Sequence, residues 1–147
     1  MKQRSAPPAA PQHVGRVSGT AWMLLAGFLV VPTLALTRLG AKVDGFILAG
    51  GPLAMSLFMF LLYRSDKRRA EAGGWRIPES TLHLGELMGG WPGAFLAQRY
   101  YRHKTAKLPY QIGFWMIVLL YEYVALDFLL GWKLARALGE LSKAQIA

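Results

Sequence analysis

Four blocks of this sequence are apolar around nearly their whole circumference, and each is about as long as a bilayer is thick. They cover 17–37, 45–63, 82–101 and 112–132. A helix needs about 20 apolar residues to cross the hydrocarbon core. Its backbone must also satisfy its own hydrogen bonds there, which selects helices over open strands. A soluble helix would alternate a core-facing stripe with a polar face, and these blocks have no such face. The expected fold is therefore an all-α integral membrane protein. It would be a small helical bundle of about four transmembrane helices over residues 17–132, the third either spanning or re-entrant.

Charge lies between and outside the blocks. The net charge is +9 from 17 Lys and Arg against 8 Asp and Glu. A basic chain can bind nucleic acid, but no nucleic-acid module is visible, and no such partner is expected. The positive-inside rule accounts for the charge and places the N-terminus in the cytoplasm. Residues 1–16 are basic and rich in Pro and Ala, and are expected to be disordered. A basic start followed by an apolar run partly fits a cleaved signal peptide. The run in 17–37 is too long for one and no clear A-x-A site follows, so an anchor is expected. Residues 133–147 read as a polar tail. With no cysteine in the chain, disulfides and thiol chemistry are excluded.

The third block leaves two paths open. Gly85, Gly89, Gly93 and Ala97 recur every fourth residue, which on a straight helix makes one small-residue face for close packing. Gly89, Gly90 and Pro92 oppose a straight helix and allow a re-entrant hairpin. With four spans, 11 Lys and Arg fall on the cytoplasmic side against 6; with a re-entrant third segment, 12 against 5. Charge does not choose between them. The length of the block favours a fourth span.

Ionisable groups inside spans are functional candidates, because burying them is expensive. They are His83, Glu86, Glu122 and Asp127. His83 and Glu86 are spaced i, i+3 on one face. In the four-span path Asp127 comes to the same depth, so the three could converge as a metal or proton site; otherwise each would snorkel or pair locally. Glu122 lies mid-span and is expected to accept bonds from backbone N–H groups freed at Gly89, Gly90 and Trp91. Two basic clusters complete the set: Lys67, Arg68, Arg69 and Arg76, then Arg102, His103, Lys104 and Lys107. Flanking span ends, they suit anionic headgroups or, if they share a face, a phosphate. Ordinary topogenic charge is the plainer explanation. No Gly-rich phosphate loop, H-E-x-x-H or G-x-S-x-G is present.

The stretch from about Tyr63 to Trp115 resembles an uncharacterised family of small bacterial membrane proteins, classed as a domain of unknown function. The resemblance rests on Asp66-Lys67-Arg68-Arg69-Ala70, Trp75-Arg76-Ile77-Pro78-Glu79, Gly89-Gly90 with Gly93-Ala94, and Arg102-His103-Lys104-Thr105 with Lys107. Some members of that family are fused to a cold-shock domain, for which residues 1–16 are too short. The resemblance implies a bacterial cytoplasmic (inner) membrane and no particular activity. The expected function is a non-enzymatic membrane protein whose basic loops contact anionic lipids, with a homo-oligomer allowed and no cofactor or metal. The alternatives are a membrane enzyme acting on a lipid or other anionic substrate through His103 with at least one of Glu86, Glu122 and Asp127, and an oligomeric transporter or channel.

Overall fold

The computed structural model describes residues 15–41 and 44–146. Apart from Gly15 and Arg16, the N-terminal segment expected to be disordered lies outside the described residues. Every regular element among them is helical: α1 (Gly19–Gly40), α2 (Gly45–Glu71), α3 (Glu79–Gly85), α4 (Trp91–Tyr100), α5 (Leu108–Leu129) and α6 (Lys133–Ile146). A π-helical turn, Glu86–Gly90, joins α3 to α4.

Among the described residues three helices, α1, α2 and α5, are long and apolar enough to cross a membrane. Only 11%, 6% and 17% of their most apolar windows is buried inside the protein. Their apolar side chains therefore face outward, which water would penalise and lipid would not. The architecture is compatible with a multi-pass membrane protein. Ser18 opens α1 by accepting a bond from the Ala21 amide (3.2 Å), and Asp44 opens α2 by accepting one from Phe46 (2.8 Å). Both helices continue through their internal prolines, Pro32 and Pro52.

α2 outruns its apolar block by two turns, into what the sequence presents as a polar loop. The residues there, Arg64 to Glu71, are mostly good helix formers. Lys67 and Glu71 add an i, i+4 pair at 3.5 Å.

The block 82–101 is not one helix. α3 enters beside α2, the chain reverses at Gly89, and α4 returns along α2. Three observations fix this path. Ile77, before α3, and His103, after α4, both bond Asp66. Tyr63, one turn deeper on α2, bonds both Glu86 and Gln98. Gly89 lies deepest, beside Pro52, with φ +100°, a left-handed conformation that glycine adopts without steric cost. Tyr121 of α5 donates to the Leu87 carbonyl at 2.7 Å, satisfying a backbone group that the turn releases. Of the two paths left open by the sequence, the chain takes the hairpin and not a fourth span.

The small-residue face is accordingly split. A Cβ on Gly85 would overlap Met59, and one on Gly93 would overlap the Ser56 backbone. Ala97 is fully buried. Gly89, however, serves the turn, and its neighbour Gly90 makes the close approach to Met55 and Met59. The wide turn and the left-handed residue shift the register, so a strict four-residue repeat does not survive.

The hairpin fills one half of the bundle, and the core sits around it: Met59, Leu82, Phe95, Phe114 and Val118 are all but inaccessible. Gly15 bonds the Tyr100 carbonyl at 3.0 Å, which puts the start of α1 at the hairpin mouth. Arg38 bonds the Leu129 carbonyl at 2.6 Å, which puts the end of α1 beside the end of α5. α1 and α5 are thus parallel, and α2 runs against them. The tail expected to be merely polar is the amphipathic helix α6, with Leu134, Leu138 and Leu141 at helical spacing.

Candidate functional site

The mouth of the hairpin is organised by one carboxylate. Asp66 lies on the polar extension of α2 and is fully buried. It accepts the Ile77 amide at 2.9 Å and His103 Nε2 at 2.8 Å, and Lys104 Nζ stands at 3.2 Å. The loops entering and leaving the hairpin are therefore tied to the same side chain. The carboxylate is the acceptor, which puts a proton on His103 Nε2. Arg102 and Lys104, on either side of His103, have φ +47° and +61°. Left-handed non-glycine residues cost about 1 kcal/mol or more each. Here that conformation turns both His103 and Lys104 onto Asp66.

Around this anchor lies a groove of about 690 Å³. Its basic lining is Lys67, Arg76, His103, Lys104 and Lys107, with Glu71 and Glu79 among them. Lys67 donates to the Tyr101 carbonyl at 2.6 Å, and Lys107 donates to Glu79 at 2.8 Å. The Lys107 hydrogen bond outweighs burial and holds the Glu79 carboxyl below the usual carboxylate range. That pair contributes above the ordinary carboxylate pKa and is lost as pH falls through the lowered one. Arg76 makes no ion pair among the described residues, so its guanidinium is the free cation of the groove.

Deeper between the helices is a second polar assembly. Glu86 is fully buried, and both Tyr63 (2.5 Å) and Tyr110 (2.8 Å) donate to its Oε1. His83 Nδ1 donates to Oε2 at 2.7 Å. The two tyrosine hydroxyls also touch each other. Gln98 donates to the Tyr63 hydroxyl at 3.0 Å, and Gln111 donates to Gln98 Oε1 at 2.7 Å and to the Lys104 carbonyl at 3.1 Å. His83 stacks on Tyr110 with ring centroids 4.4 Å apart, and only a glycine at 113 leaves room for its Nε2. α2, α3, α4 and α5 each contribute to this network. Every buried polar atom in it has a partner, the condition under which a polar core specifies one packing.

The residues singled out by the sequence divide accordingly. Lys67, Arg76, His103, Lys104 and Lys107 come together, uniting parts of two clusters that are 26 or more residues apart. Arg68, Arg69 and Arg102 are exposed and do not line the groove. His83 and Glu86 meet, but Asp127 does not join them. It lies at the far end of α5, where it accepts the amides of Leu134 (2.8 Å) and Ala135 (3.1 Å) and caps α6. The three-residue convergence needed a fourth span; once the chain turns back, Glu86 and Asp127 belong to opposite ends of the bundle. Glu122 does not accept bonds from the Gly89–Trp91 turn either. Its Oε1 is buried with no partner, and Tyr121 serves the turn instead. Asp66, Tyr63, Tyr110, Gln98 and Gln111 are not legible as site residues in the sequence. The tyrosines sit where an interfacial belt would put them, and their inward orientation depends on the hairpin.

Comparison with known proteins covers this region of the chain. Residues 56–110 match the family described as "Protein of unknown function (DUF1294)". That span runs from Ser56, packed on Gly93, to Tyr110, and so takes in the whole hairpin, the Asp66 anchor and the groove. The chain is also 33% identical over 67 residues to the "Uncharacterized protein YsdA" of Bacillus subtilis (strain 168), covering 46% of this chain and 75% of that protein. No solved structure matches. The chain belongs to the DUF1294 family.

Proposed function

We propose that this DUF1294 protein is a non-enzymatic, multi-pass protein of the bacterial cytoplasmic membrane whose groove holds an anionic lipid headgroup. The observation that carries the reading is the meeting of Lys67, Arg76, His103, Lys104 and Lys107 around one groove, along the two polar turns that extend α2 past its apolar part. That is the level at which a spanning helix leaves hydrocarbon for headgroups. Arg76 offers a planar fork free to bind phosphate oxygens. The hairpin mouth faces the cytoplasm. Residues 1–16, 64–81 and 99–111 then carry 12 Lys and Arg on that side, against 5 in the rest of the chain.

The test is binding of the full-length protein to nanodiscs with and without phosphatidylglycerol. Arg76→Gln with Lys107→Gln is expected to weaken anionic-lipid retention about tenfold, the loss of roughly 1.4 kcal/mol. Arg68→Gln with Arg69→Gln, which lie outside the groove, is expected to leave it within about twofold. Equal losses in both pairs would reduce the groove to non-specific surface charge and overturn the reading.

One observation favours the enzyme alternative: His103 is held by a buried aspartate and lines a groove, as a positioned base would be. Its expected companions are missing, since none of Glu86, Glu122 and Asp127 lines that groove. Among the described residues the lining of the groove offers no Ser, Thr or Tyr hydroxyl for His103 to activate, so headgroup binding is the better-supported function.

A further inference from the structure

The hairpin reverses at Gly89, level with Pro52, and so leaves part of the space between α1 and α2 unfilled by protein. The result is an apolar cleft of about 660 Å³ that runs along α2 from Gly45 to Phe60. Leu29 and Thr33 of α1 form one wall, Leu53 and Leu57 of α2 the other, and Pro92 of α4 the back. Leu53 and Leu57 are 69% and 62% exposed, so the cleft opens sideways, at hydrocarbon depth. An empty apolar cleft forfeits dispersion contacts along its whole lining. Next to a bilayer it will be filled.

The shallow end of the cleft identifies the occupant. Phe60 forms its rim, and Lys67 of the basic groove lies seven residues further along α2. Seven residues are two turns, so Phe60 and Lys67 share a helix face, roughly 10 Å apart along the axis. Tyr100 and Tyr101 stand between the two levels, with their rings 5.7 and 5.3 Å from Phe60. The Tyr101 carbonyl holds Lys67 Nζ. A basic groove, a tyrosine collar and an apolar cleft thus follow one another along one face, in the order of the phosphate, ester region and acyl chain of a phospholipid. A second copy of this chain would fit the cleft but would leave its continuity with the groove unexplained.

We infer that the groove and the cleft together form one site for a whole phospholipid of the mouth-side leaflet, with its phosphate in the groove and one acyl chain between α1 and α2. This rests on the headgroup reading above and extends it to the chain.

The experiment compares binding of dihexanoyl and dioleoyl phosphatidylglycerol to the full-length protein by native mass spectrometry. Leu53→Trp and, independently, Thr33→Trp fill the cleft from opposite walls, and each variant must stay monodisperse and unfold cooperatively. The wild type is expected to bind the long-chain lipid at least tenfold more tightly. Each cleft variant is expected to lose that advantage while binding the short-chain lipid as before. A chain-length advantage that survives in a well-folded variant, or none in the wild type, would overturn the inference and leave headgroup binding intact. Failure of the wild type to bind either lipid would overturn both.

Discussion

Glu86, fully buried, and Glu122, half-buried with its Oε1 inaccessible, have opposite surroundings, and the difference predicts opposite responses to the same substitution. Glu86 receives bonds from Tyr63, Tyr110 and His83. Glu86→Leu would strand three donors in an apolar core, at about 1–3 kcal/mol for each unsatisfied group. Thermal unfolding in detergent is expected to shift down strongly. Glu122 Oε1 has no partner to lose, so Glu122→Leu removes a desolvation cost and leaves no orphan. Its unfolding temperature is expected to stay the same or rise; a large fall would reveal a hidden partner. At the same scale, His103 illustrates how a single side chain becomes positioned. Neither its neighbours in sequence nor its charge indicates Asp66, which is 37 residues away.

At the scale of elements, the hairpin depends on contact between backbones. Gly93 lies so close to Ser56 that a Cβ would overlap the Ser56 backbone, which cannot rotate away as a side chain could. Gly93→Val is therefore expected to pry α4 from α2 and to widen the hairpin mouth. A cysteine pair placed at Ala70 and Thr105, at the end of α2 and in the loop after α4, checks this: its rate of cross-linking by a short bifunctional thiol reagent should fall in the Gly93→Val background. An unchanged rate would show that α4 is held by the polar network alone. Gly19 offers the contrast. It opens α1 with nothing within 4 Å, and substitution there should be tolerated.

For the whole molecule, the prediction is sidedness. The native chain has no cysteine, so single probes report without background. Ala70, at the polar end of α2, and Thr105, in the loop leaving the hairpin, lie at the end of the bundle organised by Asp66, whereas Ser142 lies on α6 at the opposite end. In intact cells Ala70 and Thr105 are expected to be protected from an impermeant thiol reagent, and Ser142 is expected to react. Labelling of Thr105 with protection of Ser142 would instead require α3 and α4 to cross as one span. Such a span would break the shared bonding of Ile77 and His103 to Asp66.

The sequence by itself determined that the chain is helical and apolar on its outside, because lipid-length runs of apolar residues admit no other backbone. It also placed the ionisable groups at risk of burial and located basic residues at span ends. It left 82–101 undecided, because hydropathy and length are blind to direction: a segment that crosses and one that returns have the same composition. Only the tertiary structure decided that path, through the left-handed Gly89, the close approach of Gly93 to Ser56 and the common anchor at Asp66. Every later assignment followed from the reversal. It separated Glu86 from Asp127, joined parts of two basic clusters into one groove, and left the cleft between α1 and α2. Hydrogen bonds between residues 23 to 37 apart close this arrangement, and partners at such separations exist only once the chain has folded back on itself.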